Sequence, residues 1–133
     1  MIGGDQRPID VEDLRRCTRY GGGYHESQPY IQAFWKVVET RLSPAQQGNL
    51  LKFITSCSRQ PLLGFSQLHP PLGIQRVPLH ENGMDIPLEG VSARLPTAAT
   101  CMNLLKLPQY SSVEELETKL ALAISYSSGF ELS

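Results

Sequence analysis

The chain has 133 residues, 41% hydrophobic and 19% charged, with a net charge of -1 at pH 7. That length suits one domain with a real core, and the near-zero charge offers no basic surface for nucleic acid or an anionic membrane. No apolar run nears the roughly 20 residues of a membrane span, and nothing at the N-terminus reads as a signal peptide. Cys17, Cys57 and Cys101 are odd in number and widely spaced. They point to reduced thiols in the cytoplasm or nucleus rather than a disulfide framework. Together with His25, His69 and His80 they make no ligand-spaced pair, so no metal site is expected.

Taken in order, Met1 to Pro8 reads as a flexible leader, with Gly3-Gly4 and a final proline. Asp10 caps a short helix, Val11 to Arg16, with Glu12 and Asp13 in the first turn, where the helix dipole favours acid. Gly21-Gly22-Gly23 then reads as a chain reversal. It lacks the lysine and the strand-to-helix setting of a phosphate cradle. Pro29 to Leu42 is a predicted helix: proline suits its first position, and Tyr30, Phe34, Val37, Val38 and Leu42 recur at helical spacing, widened by Ile31 and Trp35. Ser43-Pro44-Ala45-Gln46 starts the next helix, the serine capping and Gln46 reaching back. Leu50, Leu51, Phe53 and Ile54 supply its core face. The aromatic residues of this pair are read as core packing rather than a ligand box.

Ser56 to Pro71 is irregular, with Phe65 as an anchor, His69 as a solvated loop residue and Cys57 as structural. Ile74 to Leu79 is strand-like, with Pro78 pushing its end to a sheet edge. Asn82-Gly83 is a turn pair, and a second short strand is expected over Met84 to Leu88. Met102 to Leu107 is apolar, stops at Pro108, and reads as the central strand. Ser112-Val113-Glu114-Glu115 is a capping box. It opens a helix through about Ser127, with Val113, Leu116, Leu120, Ala123 and Ile124 facing inward and a Glu115–Lys119 pair on the outside. Gly129 is the expected stop, leaving Phe130 to Ser133 as a tail.

The candidate reactive residue is Cys101, inside Leu95-Pro96-Thr97-Ala98-Ala99-Thr100-Cys101-Met102-Asn103. A cysteine where a loop meets a buried strand shows its sulfur to solvent while the backbone behind it is held still. Activated thiols need both. The same residue type is also a common small buried hydrophobe, and residue chemistry alone leaves both open.

Leu-Pro-x-x-x-Thr-Cys-x-Asn from Leu95, then Leu107-Pro108-x-Tyr110, a helix and Gly129-Phe130, resembles the C-terminal lobe of HECT ubiquitin ligases. Thr18-Arg19-Tyr20-Gly21-Gly22-Gly23-Tyr24 with Ile31-Gln32-Ala33-Phe34-Trp35 looks like that family's opening. Leu51-Lys52-Phe53-Ile54-Thr55-Ser56 with Pro61-Leu62-Leu63-Gly64-Phe65 looks like its middle. The resemblance implies an α+β fold, a small mixed β-sheet packed with several helices in one compact lobe over 9–133. Residues 1–8 would be the hinge from a preceding N-terminal lobe. It also implies a ubiquitin transferase without a cofactor. Cys101 would be the thioester nucleophile and Thr100 its support. Leu95, Thr97 and Asn103 would lie where the ubiquitin tail is held, Asn103 either gripping it or bracing the turn. Phe130 would be the tail residue needed for transfer to lysine. Ubiquitin, a conjugating enzyme docked on the N-terminal lobe, and protein substrates are the implied partners.

Two positions depart from the family pattern. Ala99 stands where many members carry His, and Met102 where many carry Phe. No base is therefore adjacent in sequence, which matters less for a thiol than for a hydroxyl. For the acceptor lysine, Glu131, Asp10 and the carboxyl terminus at Ser133 are the candidate bases. Two other readings stay open at this point. One is a ubiquitin-binding lobe without turnover. The other is an unrelated cysteine hydrolase, which would need a histidine within reach of Cys101.

Overall fold

The computed structural model describes residues 9–57 and 60–130, the side chains of 127–130 excepted. The first helix, α1 (Val11–Cys17), is capped by Asp10, whose carboxylate accepts from the Asp13 N–H at 3.1 Å. Its acidic first turn and basic last turn both suit the dipole, and Val11 and Leu14 are its buried side.

The chain reversal expected at the three glycines is shorter than anticipated. Arg19–Gly21 is a strand, β1, and the turn follows it at Gly22 and Gly23. Three residues carry too little periodicity to announce a strand. Pairing with β2 supplies what the local pattern lacks. Gly22 has φ +68, and a Cβ there would lie 2.7 Å from the Arg76 carbonyl oxygen, so only glycine fits.

Helices α2 (Pro29–Thr40) and α3 (Pro44–Thr55) form the main helical pair. Ile31, Phe34, Trp35, Val37 and Val38 are buried on α2, and Leu50, Leu51 and Ile54 on α3. Leu42 lies beyond the end of α2 yet is buried too. The Ser43–Gln46 capping box is complete, both of its hydrogen bonds being present. Buried Gln47 ties the pair together. Its amide donates to the Val38 carbonyl at 2.9 Å and its carbonyl accepts from the Ile9 N–H at 3.1 Å. After α3 the loop carries a 3-10 turn, Phe65–Gln67. Phe65 is a core anchor, as expected, and its N–H donates to Asp13 at 2.7 Å. Cys57 is exposed rather than structural.

The sheet has the order β1-β2-β4-β3, with β2 at Gly73–Val77, β3 at Thr97–Ala99 and β4 at Leu104–Pro108. The β1–β2 and β2–β4 pairs are parallel and β3–β4 is antiparallel, so the sheet is mixed. Tyr20 pairs with Ile74 and Ile74 with Leu105, which puts these three on the core-facing side. Leu104, Lys106 and Thr97 fall on the other side. The strand expected over Met84 to Leu88 does not form. A turn at Gly83 (φ +92) is closed by the Met84 and His80 backbones, Asp85 accepts from the Leu79 N–H, and one Leu88–Val91 bridge is the sole β feature there. The local bonds of Asn82 and Asp85 to backbone N–H groups compete with a ladder.

The last helix, α4, spans Val113–Phe130, so Gly129 lies within it instead of ending it. Leu116, Leu120, Ala123 and Ile124 are buried, but Val113 is 44% exposed because it sits in the first turn, before the helix meets the core. Lys119 does not pair with Glu115. Its ammonium reaches Ser92 and Ala93 instead, while Glu115 accepts from the Ser111 N–H.

Candidate active site

Sequence order and sheet order differ at the point that matters. Strand β3 runs along the sheet edge, the chain makes a 3-10 turn over Thr100–Met102, and β4 then enters the sheet between β2 and β3. Cys101 sits on that turn and is exposed. The residue after it is exposed as well: Met102 is 57% accessible. The strand begins at Leu104, two residues later than Met102, because the turn uses the intervening residues.

Asn103 makes the turn possible. It adopts the left-handed conformation (φ 52, ψ 44), which asparagine tolerates better than most residues. It is only 6% exposed. Its Nδ2 donates to the Pro70 carbonyl at 2.8 Å and its own carbonyl accepts from the Gly73 N–H at 2.9 Å. The Asn103 amide nitrogen is thus engaged in bracing the cysteine turn against the loop that precedes β2.

On the other side of the cysteine, Pro96 is buried, Leu95 is half-buried, and Thr97 and Thr100 are exposed. Among the described residues β3 pairs with β4 alone, so one edge of Thr97–Ala99 is open. An open edge offers unpaired N–H and C=O groups to another extended chain. This edge leads directly to the sulfur. The concavity of about 420 Å³ between α1 and α2, lined by Val11, Glu12, Trp35 and Glu39 among others, has no cysteine-turn residue in its wall. Cys101 therefore stands on the rim of the sheet, where β3 turns into β4.

The histidines do not complete a dyad. His25 Nδ1 is 2.9 Å from Ser27 Oγ, and buried His80 has Nε2 3.1 Å from the Ile86 carbonyl. His69 is exposed, as expected, on the loop whose Pro70 carbonyl meets Asn103. Among the described residues no histidine is hydrogen-bonded to Cys101, and no group of His, Cys, Asp and Glu is arranged to hold a metal ion. Nothing among the described hydrogen bonds favours the hydrolase reading. Of the candidate bases for lysine, Asp10 is committed to capping α1, and Glu131 and Ser133 lie outside the described residues. Phe130 belongs to the helical backbone of α4, and its side chain is outside the described set.

The family model described as HECT-domain (ubiquitin-transferase) matches residues 1–133. This chain belongs to the HECT family. Among its HECT relatives, the E3 ubiquitin-protein ligase UPL6 of Arabidopsis thaliana is 48% identical over 133 residues, covering 100% of this chain. The ubiquitin-protein ligase E3B of Homo sapiens is 42% identical over 146 residues, and the E3 ubiquitin-protein ligase HUL5 of Saccharomyces cerevisiae 39% over 133. The chain spans 12%, 14% and 13% of these relatives' respective lengths. Sequence reasoning placed Cys101 where a loop meets a strand, as the 3-10 turn before β4 does, but missed β3. Its only signal was Leu95-Pro96 leading into three small or β-branched residues.

Proposed function

We propose that this HECT chain accepts ubiquitin as a thioester on Cys101 and passes it to a substrate lysine. The observation that carries this reading is the exposed sulfur at the end of an open-edged strand. Ubiquitin's extended C-terminal tail adds along β3, held at Thr97 and against Leu95, with its terminal carbonyl delivered to the turn. The Cys101 thiol gives its proton to solvent. The thiolate attacks the carbonyl carbon of the thioester on the conjugating enzyme, a new C–S bond forms, and the enzyme's own thiolate leaves. A lysine amine then attacks the Cys101 thioester, an isopeptide bond forms, and the Cys101 thiolate departs while a base takes the amine's proton.

Thioester exchange is nearly balanced in energy, so the protein mainly supplies proximity and orientation, which in well-aligned systems is worth about 7–11 kcal/mol. No cofactor enters the scheme. Thr100, beside the sulfur, steadies the reacting carbonyl or the turn. Asn103 holds the turn, and Phe130 serves the transfer to lysine. The conjugating enzyme docks on an N-terminal lobe, with residues 1–8 as the hinge to it and 9–133 as the C-terminal lobe. Reduced cysteines and a thioester both suit a cytoplasmic or nuclear setting.

The test is to incubate the module that includes the N-terminal lobe with ubiquitin-charged conjugating enzyme, then run gels with and without added thiol. Wild type shows an adduct that thiol removes. Cys101→Ser shows a thiol-resistant ester, and Cys101→Ala shows none. Ubiquitin affinity without any adduct would make this a binding lobe, and an adduct on Cys101→Ala would place the chemistry elsewhere.

A further inference from the structure

Strand β3 is three residues long and pairs on one side only, which leaves it too short to hold its own place. What holds its downstream end is Asn103, through the Pro70 carbonyl. Its upstream end is held by an arrangement that the proposed reaction has not used. Lys119, on α4, donates from Nζ to Ser92 Oγ at 2.6 Å and to the Ala93 carbonyl at 2.8 Å. The next residue is fixed twice over: the Arg94 N–H donates to the Leu79 carbonyl at 2.8 Å, and the Arg94 carbonyl accepts from the Tyr110 hydroxyl at 2.5 Å. Leu95 and buried Pro96 follow, and then β3.

We infer that Lys119 is a positioning residue for ubiquitin loading. Its ammonium bolts residues 92–93 to α4 and so sets where the open edge of β3 lies relative to Cys101. This rests on the reading of β3 as the strand that receives the ubiquitin tail. The chemistry fits a lysine at this place. A charged donor to a hydroxyl and a carbonyl makes stronger bonds than a neutral one, and its flexible stem lets α4 reach across to a segment with no regular structure of its own. The arrangement also explains why Lys119 does not pair with Glu115, its helical neighbour: residues 92–93, the strap, offer two acceptors, one of them, the Ala93 carbonyl, partly buried.

The experiment compares wild type, Lys119→Met, Lys119→Arg and Ser92→Ala by three readouts. In the 133-residue chain, amide exchange is followed at 92–99 and at β2, and Cys101 alkylation by iodoacetamide is timed. In the two-lobe module, loading from charged conjugating enzyme is measured. Lys119→Met is expected to speed exchange at 92–99 with β2 unchanged and to leave alkylation within about twofold. It should slow loading roughly ten- to hundredfold, as misplacement of a reacting group does. Lys119→Arg keeps most of the loading rate. Ser92→Ala, which leaves the sequence of α4 unchanged, gives the same pattern at about threefold, one bond of two being lost. Unchanged exchange at 92–99 in both Lys119→Met and Ser92→Ala overturns the inference. So does a loading loss matched by an equal loss of alkylation. If wild type never carries ubiquitin on Cys101, the reading of the site fails instead, and the exchange measurement still decides whether Lys119 holds the strap.

Discussion

On the proposed reading Cys101 works without a neighbouring base but needs its backbone held. Asn103 meets that need by accepting a left-handed conformation and spending its side-chain amide on Pro70. Replacing it by alanine removes both. Asn103→Ala is expected to cost about 1–3 kcal/mol, because the Pro70 carbonyl loses its donor, and a urea titration measures this directly. Loading should fall further than iodoacetamide alkylation, since the thiol stays exposed while its position loosens. Equal effects on both would assign Asn103 a different role. The residue pattern made Cys101 legible, because Thr-Cys-x-Asn after Leu-Pro is a local feature. It left open whether Asn103 braces or grips, since that depends on Pro70, 33 positions away in sequence.

At the scale of elements, the helices were the readable part. Each of α1, α2 and α3 carries its start signal in its own residues: Asp10, Pro29, and Ser43 with Gln46. Ser43→Ala is expected to lower stability by about 1 kcal/mol, the usual worth of an N-cap, with the loading rate unaffected at temperatures where the fold is intact. A thermal melt and a charging assay on the same sample check both. The strands were harder. β1 and β3 are three residues each and exist because β2 and β4 lie beside them. Conversely, Met84 to Leu88 has apolar character but no strand to pair with, and its backbone bonds are taken by Asn82, Asp85 and a turn. The Glu115–Lys119 pair was a sound local expectation that lost to the strap.

For the whole molecule, three tyrosines tie the segment before α2, α2 itself and the chain after β4 to one another at the end of β4. Tyr24 and Tyr30 donate to the Leu107 and Pro108 carbonyls, each at 2.7 Å, and the Tyr110 N–H donates to the Tyr30 hydroxyl at 3.1 Å. Burial raises all three phenol pKa values above the ordinary 10.0. The unfolded chain ionises first, so the stabilisation is whole below about pH 10 and is lost as pH climbs beyond it. Alkaline denaturation should therefore begin there, and Tyr24→Phe should make its limb shallower. An unchanged slope would show that Tyr24 does not govern it. The chain's small share of its relatives' length bears on rate as well. If the conjugating enzyme docks on a preceding lobe, covalent linkage to that lobe raises the effective concentration of the thioester at Cys101. Loading of the tethered protein should be at least tenfold faster than that of the 133-residue chain. Equal rates, measured by quenched gels, would contradict that placement.

The sequence by itself determined the helices, the start signals of the first three, the apolar central strand and the presence of a cysteine between loop and strand. All of these depend on residues within a few positions of one another. Only the tertiary structure decided that β3 is an open edge, that Asn103 is turned inward to Pro70, and that Lys119 grips the strap. Hydrogen bonds between segments distant in the chain leave no periodic trace in either one, and a short strand becomes a strand only when its neighbour in the sheet is in place.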